Sequence, residues 1–154
     1  MSRFDATDSS TALVSAHGRQ VFLRLSPNGR WLAYMSNESG PWEIWLNTFP
    51  VTGPGRKVSI AGGSQPVWSP AGDRLYYRRG DTVHVVNVDP LTGRFGRPAP
   101  FITGPFLNVP GWSYDVSADG RRLLLIQGPI ERTGNQIRFI RDFDRVIREA
   151  IVSK

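Results

Sequence analysis

The chain has 154 residues, 40% of them hydrophobic, which is enough for one ordinary folded domain and excludes wholesale disorder. With no cysteine, disulfides, thiolate nucleophiles and cysteine-based metal sites are excluded. The net charge of +6 invites a nucleic-acid reading, but the arginines are scattered singly or in pairs beside acids and turns, and Lys57 and Lys154 are the only lysines. A solvated surface is therefore expected rather than a phosphate-tracking face, and nucleic acid is not an expected partner.

In chain order, the opening "MSRFDATDSS" has no apolar stretch, and no later run approaches the roughly 20 residues of a membrane helix. The expectation is a soluble chain without signal peptide or membrane span, its compartment not legible. Alternating and β-branched runs then predict short strands over 21–25, 31–36, 43–48 and 57–60. A second group falls over 66–68, 74–78, 82–88 and 98–102, and a third over 113–116, 121–127 and 136–140. The tail "RDFDRVIREAIVSK" changes period: Phe143, Val146, Ile147, Ala150 and Ile151 form one apolar stripe at helical spacing. Asp142 is its N-cap, and Asp144 stands four residues before Arg148.

The three groups share one signature. Ser26-Pro27-Asn28-Gly29, Ser69-Pro70-Ala71-Gly72 and Ser117-Ala118-Asp119-Gly120 recur at offsets of 43 and 48 residues. Proline pre-sets φ early in such a turn and glycine accepts positive φ at its end, so each marks a tight hairpin. The structural turn residues are thus Pro27, Asn28, Gly29, Pro70, Ala71, Gly72, Asp119 and Gly120. Repeats of about 40 to 50 residues built from such hairpins read as propeller blades. The expected fold class is all-β: a WD40-like β-propeller fragment of about three four-stranded blades with a short C-terminal amphipathic helix. Residues 1–154 form a single partial propeller. Within it 1–16 are end strands of an incomplete blade, 17–62, 63–104 and 105–141 are blades, and 142–152 are the helix.

"LSPNGRWLAYMSNESGPWEIWLNTFP" and "QPVWSPAGDRLYY" resemble the WD40-like repeats of TolB-type β-propellers. The wording "GGSQPVWSPAGDRLYY", "YDVSADGRRLLLI" and "NQIRFIRDFDRVIREAI" is similar to propellers at the C-terminal end of bacterial serine/threonine kinase-like or regulator proteins. Where those repeats carry a turn aspartate, this chain has Asn28 and Ala71, and only Asp119 keeps it.

No kinase motif accompanies the resemblance, and there is no Gly-x-Ser-x-Gly elbow. His17 and His84 lack the partners of a metal set, and Asp115 with Asp119 lacks the ligand pattern of a calcium loop. The stretches "VTGPGRK" and "IAGGSQP" read as crossings between blades, not phosphate cradles. Trp42, Trp45, Trp112, Phe49, Phe95, Phe101 and Phe106 lie near strand ends, where packing between blades is the expected role and ligand stacking the alternative. No catalytic, cofactor or metal residue is therefore assigned, and the expectation is no enzyme and no cofactor. The expected function is a non-catalytic module for protein–protein interaction or ligand recognition. Its alternatives are the detached sensory propeller of a kinase-like protein and the accessory propeller of a hydrolase.

A protein partner is expected. Three blades leave two blade faces bare, exposing part of Trp31, Leu75, Tyr77 and Leu124, so a homodimer completing a six-bladed ring is one expected assembly. A monomer sealed by its C-terminal helix is the other.

Overall fold

A computed structural model describes residues 18–127 and 136–140. The described residues form strands β1 (Gln20–Leu25), β2 (Trp31–Ser36), β3 (Glu43–Thr48) and β4 (Arg56–Lys57). They continue as β5 (Ser64–Trp68), β6 (Arg74–Arg79), β7 (Thr82–Asn87) and β8 (Ala99–Thr103). The last three are β9 (Tyr114–Val116), β10 (Leu123–Gln127) and β11 (Gln136–Ile140). Each group is an antiparallel meander: β1 to β4 in one sheet, β5 to β8 in the next, β9 to β11 in the third. The fold is all-β. Among the described residues no helix is long and apolar enough to cross a membrane. The expected end strands of 1–16 and the helix of 142–152 lie outside the described residues.

The largest departure from the expected strands is β4, which ends at Lys57 instead of running to residue 60. The cause is local. The amides of Val58 and Ser59 both donate to the carbonyl of Ile44, while the Ile44 amide donates to Ser59 Oγ at 2.7 Å. A serine side chain thus takes the ladder position that a backbone carbonyl would hold, and the chain leaves the sheet.

Between sheets, β1 and β2 pack on β5, and β5 packs on β9, so the sheets converge on their first strands. Two apolar joints result. In the first, Trp31, Ala33, Ile44 and Leu46 meet Trp68, Leu75, Tyr77, Val86 and Val88. In the second, Val67, Tyr76, Val83 and Phe101 meet Phe106, Tyr114, Leu123 and Leu125. Trp31, Leu75 and Tyr77, expected to be partly bare in an open ring, are buried here because the next sheet already covers them. Leu124, on the far side of the third sheet, is half-buried.

Candidate functional site

The three turns at one end of the sheets share a single wiring. In each, the glycine amide donates to the serine carbonyl: Gly29 to Ser26, Gly72 to Ser69, Gly120 to Ser117. The three glycines have φ of 69°, 73° and 67°, the left-handed region that their lack of Cβ permits. Each serine Oγ accepts the amide five residues on, from Trp31, Arg74 and Arg122 at 2.9, 3.0 and 2.9 Å. The same hydroxyl donates to Asn28 in the first turn, Asp73 in the second and Asp119 in the third. Ala71 therefore leaves no gap, because Asp73, two residues along, supplies the missing acceptor. Asp119 is held below the usual carboxylate range, chiefly by the Ser117 hydroxyl and then by the Arg121 amide. Its ion pair with Arg122 at 3.3 Å is exposed on both sides and adds little.

Asn28 does something an aspartate cannot. Its Nδ2 donates to the carbonyl of Pro90 at 2.8 Å, in the loop between β7 and β8, and Trp31 Nε1 donates to the same oxygen at 2.9 Å. The turns are thus scaffolding. The second rests on the first, where an added Cβ at Gly72 would lie 3.3 Å from the Pro27 ring.

The chemistry-bearing cluster lies instead along the converging first strands. β1 and β5 each carry an irregularity, between Val21 and Arg24 and between Ser64 and Val67. At each, a non-glycine residue is left-handed: Phe22 with φ 55° and Gln65 with φ 54°. These positions are equivalent in the repeat, and a bulge there re-aims the side chain out of the pleat. Gln65 is turned onto the segment entering β9: its Nε2 donates to Ser113 Oγ at 3.0 Å, and the Ser113 amide donates to its Oε1 at 3.1 Å. Tyr114 completes the tie by donating its hydroxyl to the Gln65 carbonyl at 2.6 Å. Burial pushes the Tyr114 phenol well above its ordinary pKa, so it stays a donor.

Phe22 is turned onto Trp112, ring centroids 5.1 Å apart and edge to face. The Arg24 guanidinium lies over the same indole, 4.0 Å from its centroid. Residues of the first sheet thereby reach past β5 to the third. The segment that leads to Trp112 is tied down by Arg78, which is 2% exposed. Arg78 Nη2 donates to the carbonyls of Gly80 at 2.9 Å and Phe106 at 3.1 Å, and Nη1 donates to that of Leu107. Burial lowers the Arg78 pKa from its ordinary value, and Asp81 partly offsets this. Arg24 differs: among the described residues its guanidinium has no acidic partner. An arginine held over an indole still carries its fork of N–H donors, the arrangement that matches a carboxylate.

The other singled-out residues fall elsewhere. His84 is buried and stacked on Tyr77 at 5.2 Å, with Nδ1 unpartnered among the described residues and its pKa lowered by burial and then by Arg79. His17 lies outside the described residues. Phe101 and Phe106 are buried in the second joint, and Phe95 lies against the first. Trp42, Trp45 and Phe49 are half-buried. No group of three or more His, Asp or Glu among the described residues has the geometry of a metal site. Trp112 had been singled out, but its partners Phe22 and Arg24 had not. The repeat offset from Phe22 to Gln65 was there to be read, yet nothing in the residue types links the two.

The fold just described is TolB-like. No protein-family model matches the chain, and no curated protein matches it. Solved structures do. The chain is similar to a protein described as a TolB from Agrobacterium tumefaciens, with TM-score 0.60, 14% identity, and coverage of 81% of this chain and 46% of that one. It is similar to TolB from Acinetobacter baumannii, with TM-score 0.52, 16% identity, and coverage of 82% and 30%. It is also similar to oligogalacturonate lyase from Vibrio parahaemolyticus, with TM-score 0.55, 14% identity, and coverage of 84% and 38%. The chain spans less than half the length of each. At these identities the likeness is one of fold. It also corrects the expectation that the chain is not an enzyme: a lyase shares the fold, so neither the propeller nor the missing nucleophile motifs make the chain non-catalytic.

Proposed function

We propose that this chain is a recognition module of the propeller type, and that it binds a protein partner at the Phe22–Arg24–Trp112 cluster through a carboxylate-bearing segment. The observation that carries the reading is the Arg24 guanidinium lying 4.0 Å over Trp112 without an acidic partner among the described residues. The indole holds the guanidinium in place, while the exposed Leu23, its neighbour in β1, offers apolar contact to the rest of a ligand. Buried Gln65 and Arg78 order the segment that carries Trp112, which lowers the ordering cost of binding. A sensory propeller of a kinase-like protein, or one beside a hydrolase, would use the same surface.

The test is a library of short peptides with free C-terminal carboxylates, compared with the same peptides amidated. Carboxylate peptides bind and amidated ones do not. Arg24→Ala weakens binding at least about tenfold, and Arg24→Lys recovers part of it. Equal binding of both libraries, or an unchanged affinity in Arg24→Ala, overturns the reading.

A further inference from the structure

The repeat supplies its own template for an unfilled position. In the first joint, Trp68 of β5 seats on the first sheet: its indole N–H donates to the Arg24 carbonyl at 3.1 Å, and its ring packs among Trp31 and Ala33. One repeat along, Val116 takes the place of Trp68 and packs into the second joint. Each seated side chain is the residue just before the turn serine. The third such residue is Leu25, before Ser26, and it is 48% exposed where Trp68 is 8% exposed. Among the described residues, two of these side chains are seated in a joint and Leu25 is not.

The sockets show the converse. The surface of the third sheet equivalent to the one that receives Trp68 includes Asp115, Arg122 and Leu124. With Val116 and Ser117 they line a concavity of about 210 Å³. The register fixes the equivalence, since Leu124 pairs with Asp115 as Ala33 pairs with Arg24. Among the described residues, the row of sheets thus presents an unfilled socket at one end and an unseated plug at the other.

We infer that a second copy of this chain fills the socket, with the partner's Leu25 seated against Leu124 and Asp115. The joint is a continuation of the two already formed, with the same backbone geometry and the same class of side chain at its centre. Two copies give two such joints related by a two-fold axis, each copy providing one plug and one socket. Three sheets per copy then give a closed ring of six, within the four to eight blades that propellers use. No part of this depends on Arg24 binding a peptide.

Light scattering on the full chain across a concentration series tests it. The expected mass is twice 17.2 kDa. Leu25→Asp and Leu124→Asp each weaken the dimer at least about tenfold by placing a charge in a desolvated contact, while Leu91→Asp, on a fully displayed loop, leaves it intact. Because Leu25 is already half-exposed, far-ultraviolet circular dichroism of Leu25→Asp stays that of the parent. Mixing Leu25→Asp with Leu124→Asp restores association through the one joint whose two halves are both intact. A monomer at every concentration overturns the inference, as does a dimer indifferent to both substitutions. So does a monomer that Leu124→Asp destabilises, which would mean that the chain's own tail occupies the socket.

Discussion

The two joints between sheets look alike in outline and hold by different means. The first is closed by aromatic surface and a reaching loop. Trp31 and Trp68 lie at its centre, and the loop after β7 folds back so that Pro90 accepts from Asn28 and Trp31 together. Gly93 of that loop lies flat on the Trp31 ring, where a Cβ would come within 2.4 Å, and Arg56 Nη2 holds the Gly93 carbonyl at 2.7 Å. The second joint is pinned by buried polar groups: Gln65 with Ser113 and Tyr114, and Arg78 with three backbone carbonyls. An apolar joint loses stability in proportion to the surface removed. A polar joint fails when one partner goes, because the groups left behind are buried and unsatisfied. The polar joint is also the one that positions Trp112, so geometry is fixed most tightly where the proposed site needs it.

Trp31→Ala breaks the comparison hardest. It removes the centre of the first joint and the seat of Gly93, and is expected to cost about 4 kcal/mol in denaturant unfolding. Peptide binding per folded molecule should weaken as well, since Phe22 and Arg24 of β1 reach Trp112 only while the first sheet stays docked on β5. Binding that falls only in step with the loss of folded protein would show the site to be independent of the first joint.

Arg78→Met keeps the aliphatic stem and removes the donors. About 3 kcal/mol is expected, from stranding the carbonyls of Gly80, Phe106 and Leu107. Hydrogen exchange should quicken first at the amides of Phe106 and Leu107, with those around Trp31 following only on global unfolding. Uniform acceleration would contradict the division of labour between the joints.

Asn28→Asp sharpens the contrast at low cost. It restores the aspartate usual in such repeats and keeps the acceptor for Ser26, but it cannot donate to Pro90. A destabilisation of about 1 kcal/mol is expected, since Trp31 still serves that carbonyl. Stabilisation on thermal unfolding would show that the link to Pro90 carries no weight.

The strands, the hairpins and their grouping were legible because each depends on neighbours in sequence. Side-chain alternation, proline at the second turn position in two copies and glycine at the fourth in all three act within a few residues, and the turns repeat at offsets of 43 and 48. In the second turn alanine stands at position 71, where such repeats carry an aspartate. Asp73 performs the same bonding from two residues away, once the hairpin has curled it back onto Ser69. β4 was overextended because whether Ser59 Oγ or a backbone carbonyl meets the Ile44 amide is settled by where the sheet places them.

The sequence by itself determined an all-β chain of three repeated units, because backbone preference and turn chemistry are local energies summed along the chain. Only the tertiary structure decided what those units present. Phe22 and Arg24 meet Trp112 some 90 residues away because left-handed residues at Phe22 and Gln65 turn two side chains out of the pleat and the sheets converge on their first strands. Likewise Leu25, Trp68 and Val116 hold one position in the repeat, yet Trp68 is buried, Val116 half-buried and Leu25 exposed. Burial belongs to the neighbours a residue is given, and those are set by the angle between sheets, not by the letter in the chain.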